Sequence, residues 1–155
     1  MAVNPIPPDY PRIIPSLAIS GAAKAIDWYG TVLGTTERMR MEGPGGTIAH
    51  CELTLGDGMI MLADEFPDMG FLSPETAGGP GNSSMVYVED VDAVFGRAIA
   101  NGATSIKEPA DEFYGDRSAQ FRDPFGHRWS IAAHVEDVSE EEMQRRMAEM
   151  MGESE

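Results

Sequence analysis

His50 and Glu52 stand two residues apart in the run Ile48-Ala49-His50-Cys51-Glu52-Leu53. In an extended strand that spacing puts both side chains on one face, roughly 7 Å apart, close enough to touch the same small molecule. An imidazole that titrates near neutrality beside a carboxylate can move a proton, the histidine as base and the glutamate as its orienter or as acid. The same pair can also line a polar surface, bonded to each other or to Gln120 and Arg122, and do no chemistry. Both readings are open, since no nucleophile or oxyanion site is legible beside them. Cys51 is the single cysteine, so neither an intrachain disulfide nor a CxxC motif exists. The glycine-rich stretches 43–46 and 78–81 lack the Lys and Ser/Thr that follow in a phosphate-binding loop.

The strand that carries this pair belongs to a unit the chain runs through twice, at an offset of 68 to 69 residues. Ala22, Ala25, Ile26 and Tyr29 form a helical stripe, and Val91, Val94, Phe95 and Ala98 lay down the same stripe in the second half. In the first unit, 13–19 reads as a strand and Ser20 as the cap of a helix stopped by Gly34. Strands follow at 36–41, 47–55 and 59–63, the last two joined by a hairpin at Gly56-Asp57-Gly58. In the second, 83–88 is a strand, Asp90 caps a helix stopped by Gly102, and a strand at 104–107 leads into the loop Phe113-Tyr114-Gly115-Asp116-Arg117. A hairpin turning at Asp123-Pro124-Phe125-Gly126 closes the unit. Each unit thus reads β-α-β-β-β, too small to bury a core alone. The fold class is α+β. The expected limits are a proline-rich extended arm at 1–11, one domain at 12–134 made of modules 12–63 and 82–134 joined by the loop 64–81, and an acidic helix and tail at 135–155. Ser139 with Glu142 forms a capping box, and Met143, Met147, Met150 and Met151 make the apolar stripe of that terminal helix, a packing face.

The 155 residues carry 26 acidic and 11 basic side chains, a net charge of −15, which opposes nucleic-acid and anionic-membrane partners. Part of that charge lies in 135–142 and in 153–155, read as a solvated tail. No apolar run is long enough to span a bilayer, and the first residues lack the pattern of an export signal. A cytoplasmic location is expected.

The segments Ala25-Ile26-Asp27-Trp28-Tyr29 with Leu33-Gly34, Val88-Glu89-Asp90-Val91-Asp92, and Arg122-Asp123-Pro124-Phe125-Gly126-His127, set in two βαβββ units, resemble the vicinal oxygen chelate superfamily of glyoxalases, dioxygenases and bleomycin-resistance proteins. Tyr114-Gly115-Asp116-Arg117 and His134-Val135-Glu136-Asp137-Val138 resemble its PhnB-like branch. The resemblance implies a cup-shaped mixed sheet with helices outside, a ligand against the concave side, and a homodimer. Alternation then turns Ala49, Cys51, Leu53 and Leu55 to the helices and Ile48, His50, Glu52 and Thr54 to the cup, with Ser118, Gln120 and Arg122 opposite. The superfamily's metal enzymes take a ligand from the first and last strand of each unit. Those positions hold Ile14, Leu62, Ser83 and Ser130, none a strong ligand, and a shift by one residue gives nothing better. No metal and no other cofactor is expected.

The reading is a small-molecule-binding protein of the glyoxalase and bleomycin-resistance type, with Ser83, Met85, Tyr87, Tyr114, Arg117, Gln120, Arg122, Ser130 and His134 as ligand-binding residues. Arg117 could orient an anionic or carbonyl-bearing ligand, or pair with Asp116 to hold its loop. The alternative is a lyase or isomerase acting on a small oxygenated substrate through His50 and Glu52. A third reading keeps a metal at a displaced site of His50, Glu52 and His134.

Overall fold

The computed structural model describes residues 3–152. The run 153–155, expected as part of the acidic tail, and residues 1–2 of the expected arm lie outside the described residues. Two compact units divide the chain: residues up to Asn82 together with Phe125–His127, and Ser83–Pro124 with Arg128 onward. Each is built on a four-stranded mixed sheet.

The first unit runs β1 (Ser16–Ile19), α1 (Ala22–Leu33), β2 (Thr36–Glu42), β3 (Ile48–Leu55) and β4 (Gly58–Asp64), in the sheet order β1-β4-β3-β2. β1 lies parallel to β4, and the other neighbours are antiparallel. The expected stripe Ala22, Ala25, Ile26 and Tyr29 is buried on α1, joined by Trp28, Val32 and Leu33. Against it pack Leu17, Ile19, Cys51, Leu53 and Leu62 from the sheet. Ser20 does not cap α1. Gly21 takes the N-cap position in a left-handed conformation, and the Asp64 carboxylate at the end of β4 accepts the Gly21 and Ala22 N–H groups at 3.1 and 3.0 Å. β1 begins at Ser16 rather than near residue 13, because Pro15 has no N–H to give the ladder. Between β4 and the second unit, Glu65 accepts from Ser73 N and Thr76 Oγ1, and Ser73 caps the short helix α2 (Pro74–Ala77).

β3 departs from simple alternation. Met41 pairs with His50 and Glu42 with Ile48, so Ala49 is an extra residue in a bulge. Ile48 therefore turns inward and is buried, while Ala49 is exposed, the reverse of the expected assignment. A second irregularity, between Glu37 and Met39, makes Arg38 the extra residue on β2.

The second unit repeats the plan with β5 (Ser83–Tyr87), α3 (Val91–Ala100), β6 (Thr104–Asp111), β7 (Asp116–Arg122) and β8 (Arg128–His134), in the order β5-β8-β7-β6. Val91, Val94, Phe95 and Ala98 are buried on α3, and Asp90 caps it by accepting from Ala93 N. β6 runs past residue 107 to Asp111. It is an edge strand with register shifts around Lys107, where Pro109 can be held without breaking an internal ladder. Asp123, expected only as a turn residue, is buried and accepts from Trp129 Nε1 at 2.9 Å. α4 (Glu140–Gly152) follows, with Ser139 Oγ accepting from Glu142 N. Arg146 ties it to the β6–β7 hairpin by donating to Phe113 O at 3.0 Å and to Glu136. Met143 is half-buried, and Met147, Met150 and Met151 are exposed. No helix among the described residues is long and apolar enough to cross a membrane.

Candidate functional site

In the first unit, β3 presents His50, Glu52 and Thr54 on the face opposite α1, since Cys51 and Leu53 fill the core side. His50 Nε2 and Glu52 Oε1 are 3.3 Å apart, so the sequence pair does meet. Glu52 was expected to face the cup, and it is only 3% exposed. The cover is the N-terminal arm. Tyr10 donates its hydroxyl to both carboxylate oxygens of Glu52, at 3.0 and 3.1 Å. That bond to an anion is the main reason the Tyr10 phenol is pushed above its ordinary value. The bulge at Arg38 brings its guanidinium over the Tyr10 ring, 4.2 Å from the centroid, with Nε 3.7 Å from Glu52 Oε2. Arg38 also holds Asp9, through Nη2 to Oδ2 at 2.5 Å and Nη1 to the backbone carbonyl at 2.9 Å. A buried carboxylate is thus held by a phenol, an imidazole and a guanidinium, as a charge removed from water requires.

Cys51, between His50 and Glu52, points into the core with its thiol pushed up to about 11 by burial. It is inert as a nucleophile.

In the second unit, β5, β7 and β8 build a comparable cluster around Asp116, which is 6% exposed. Tyr87 donates to Asp116 Oδ2 at 3.1 Å, and His134 Nδ1 lies 3.0 Å from Oδ1. The other ring nitrogen of His134 lies 2.7 Å from Asp137 Oδ1. Asp137 first and Asp116 second raise the His134 pKa, so the ring favours the imidazolium form, donating at both ends. Tyr87 is likewise raised by its bond to Asp116. Gly115 lets the hairpin close over this cluster. Its φ is +102°, and a Cβ there would lie 2.1 Å from Glu136 O.

The strand register sets Met85 beside Ser130, Ser83 beside Arg128 and Gln120 beside Ser130. Seven of the expected ligand-binding residues, Ser83, Met85, Tyr87, Gln120, Arg122, Ser130 and His134, therefore share the sheet face of Asp116. Arg128 Nη2 donates to Gln120 there, and Ser118 to Glu112, which also pairs with Lys107. Met85 and Tyr87 remain 52% and 63% exposed. Arg117 is placed elsewhere. It forks onto Asp92 of α3 at 2.7 and 2.9 Å and reaches Asp111 at 3.1 Å, so it does not pair with Asp116. Tyr114 stacks edge-on against Phe113 in the hairpin. Tyr10, Arg38 and Asp137 were not among the expected site residues, and Asp116 was expected only as a loop partner of Arg117. The contact of Tyr10 with Glu52 spans 42 residues, and no local pattern announces it.

The metal expected of superfamily enzymes does not fit these residues. Leu62 is buried in the core, Ile14 precedes β1, and Ser83 and Ser130 offer only neutral hydroxyls. Among the described residues no three or more His, Cys, Asp or Glu side chains are grouped to hold a metal ion.

An uncharacterized protein of Mycobacterium bovis is 36% identical over 141 residues, covering 89% of this chain and 93% of its own. TnmS3, an antibiotic binding protein from Streptomyces sp. CB03234, is 25% identical with a TM-score of 0.57, covering 77% of this chain and 92% of its own. The PhnB protein of Bacillus cereus, 16% identical with a TM-score of 0.60 over 79% of this chain and 99% of its own, shares the fold. The sequence model of the Glyoxalase/Bleomycin resistance protein/Dioxygenase superfamily matches residues 14–131, and with two βαβββ modules of the sheet order just described the chain belongs to that superfamily.

Proposed function

We propose that the protein binds a small molecule without a metal, on the sheet face that carries Asp116. The observation that carries this reading is one sheet face on which a buried carboxylate is fixed between Tyr87 and His134, while Met85 and Tyr87 of the same face stay exposed. Convergent polar groups fix orientation, and apolar surface supplies the affinity. The name of TnmS3, an antibiotic binding protein, supports the same class of ligand. In this reading Ser83, Gln120, Arg122 and Ser130 complete the face, while Arg117 acts from the other side by holding β7 to α3. Modules 12–63 and 82–134 work as one domain, and the chain works as a homodimer.

The lyase or isomerase alternative would run through His50 and Glu52. In this structure the Tyr10 hydroxyl takes the place on Glu52 that a substrate donor would need, and no other residue supports that reading further.

The test is calorimetric titration with a panel of aromatic antibiotics and small oxygenated metabolites in chelator-containing buffer, with the recovered ligand checked by mass spectrometry. One-to-one binding, an unchanged ligand, and affinity at least roughly ten-fold weaker in Asp116→Asn would bear out the reading. Turnover, or binding that requires an added metal, would overturn it.

A further inference from the structure

The contact between the arm and the first sheet has the form of a bound ligand. Tyr10 offers Glu52 one hydroxyl shared between two oxygens, and lays its ring under a guanidinium. Its hydrogen bonds and ion pairs to the sheet run through the neighbours Asp9 and Tyr10, and both meet Arg38 or Glu52. The side chains of the rest of the described arm are mostly exposed. Ile6 is 49% exposed and Ile13, on the chain side of Tyr10, is 89% exposed. Grooves of about 380 and 300 Å3 flank Tyr10, one walled by Ile6, Pro11 and Arg12 and the other by Pro8, Thr54 and Met59.

We propose that Tyr10 is an internal stand-in for a phenolic ligand: the Arg38, His50 and Glu52 constellation takes a neutral small phenol, and the arm must swing away at Ile13 to admit it. The chemistry of the three side chains defines the class. Glu52 is a buried acceptor that needs a donor hydroxyl and repels a carboxylate or phenolate. Arg38, whose Nε lies 3.7 Å from Glu52 Oε2, favours a flat aromatic face over an aliphatic one. His50, with Nε2 3.3 Å from Glu52 Oε1, offers a second polar group beside that acceptor. The inference rests on the reading that the protein binds small molecules, and adds a ligand class and a built-in competitor. A tethered side chain acts at an effective concentration in roughly the millimolar range, so the arm sets a threshold that a free phenol must exceed. Removing the competitor raises the fraction of binding-competent protein and lowers the apparent dissociation constant in proportion.

The experiment is a titration of the full chain with p-cresol, and with toluene as the ring lacking a hydroxyl, followed through the NMR resonances of the Arg38 and His50 side chains. Wild type, Tyr10→Phe and Tyr10→Ala are compared, with Tyr10→Ala/Arg38→Leu as the stacking control. The expected result is an apparent Kd for p-cresol at least roughly ten-fold lower in Tyr10→Ala than in wild type, with Tyr10→Phe between them. Toluene shifts nothing, and the Arg38→Leu change abolishes the gain. If Tyr10→Ala does not fold, the comparison of wild type with Tyr10→Phe carries the same order. Equal p-cresol affinity in all folded variants, or toluene binding as well as p-cresol, would overturn the proposal. A panel ligand whose binding responds to Asp116→Asn while p-cresol ignores Tyr10 would sink the stand-in and leave the general binding reading intact.

Discussion

His134 has a carboxylate facing each ring nitrogen, Asp116 at Nδ1 and Asp137 at Nε2, with Tyr87 completing the shell of Asp116. Its pKa is raised, so protonation is linked to folding with a definite sign. The stabilisation is fully present below the ordinary histidine value of about 6.5 and is lost as pH rises through the higher native value. His134→Gln should therefore lower the melting temperature at about pH 6, and the loss should shrink toward about pH 9 as the raised native value is passed. Equal losses at both values would show that the imidazolium is not the stabilising form. His134 could be placed by alternation alone, two positions on from Ala132 and four from Ser130. Its partner Asp137 could not, since it lies past the strand end, where periodicity carries no information. The same boundary explains Glu52, whose neighbours along β3 were correctly placed in part but whose burial comes from Tyr10.

At the scale of elements, local signals performed well wherever the cause of structure is local. The stripes of α1 and α3, the Asp90 cap, the Ser139 cap and the Gly56-Asp57-Gly58 turn all depend on residues within a few positions of one another. The α1 cap failed as an expectation because its acceptor comes from Asp64, 43 residues away. Asp64 also accepts Ile48 N at 2.7 Å, so one carboxylate ties the start of α1 to the start of β3. Asp64→Ala should destabilise the fold by about 2 kcal/mol in urea unfolding, since it removes a helix cap and orphans a partly buried N–H together. Asp64→Asn should recover part of the loss, and an Ala variant as stable as wild type would remove Asp64 from this role. The bulge at Ala49 could not be read from alternation either. It depends on pairing with β2, and it exchanges Ile48 for Ala49 in the core.

For the whole molecule, the net charge of −15 means that any two copies repel at long range. The proposed homodimer must overcome that repulsion by burying apolar surface, and salt should help it. With a screening length of about 10 Å at 0.1 M salt, light scattering should show the dimer fraction rising from low salt to physiological salt. A monomer at every salt and protein concentration would overturn the pairing. Within the second unit the acidic terminal segment is not left loose. Val135 and Glu136 both donate to Gly115 O, at 2.9 and 3.0 Å, and Arg146 then fixes α4 to the same hairpin. All of this rests on the missing side chain at Gly115, where a methyl group would collide with Glu136 O. In a saturation-mutagenesis map the hairpin tip 113–115 would look like permissive surface with one blank column. That column would record the route of the chain out of β8, since every alternative letter at position 115 evicts the segment that carries Asp137.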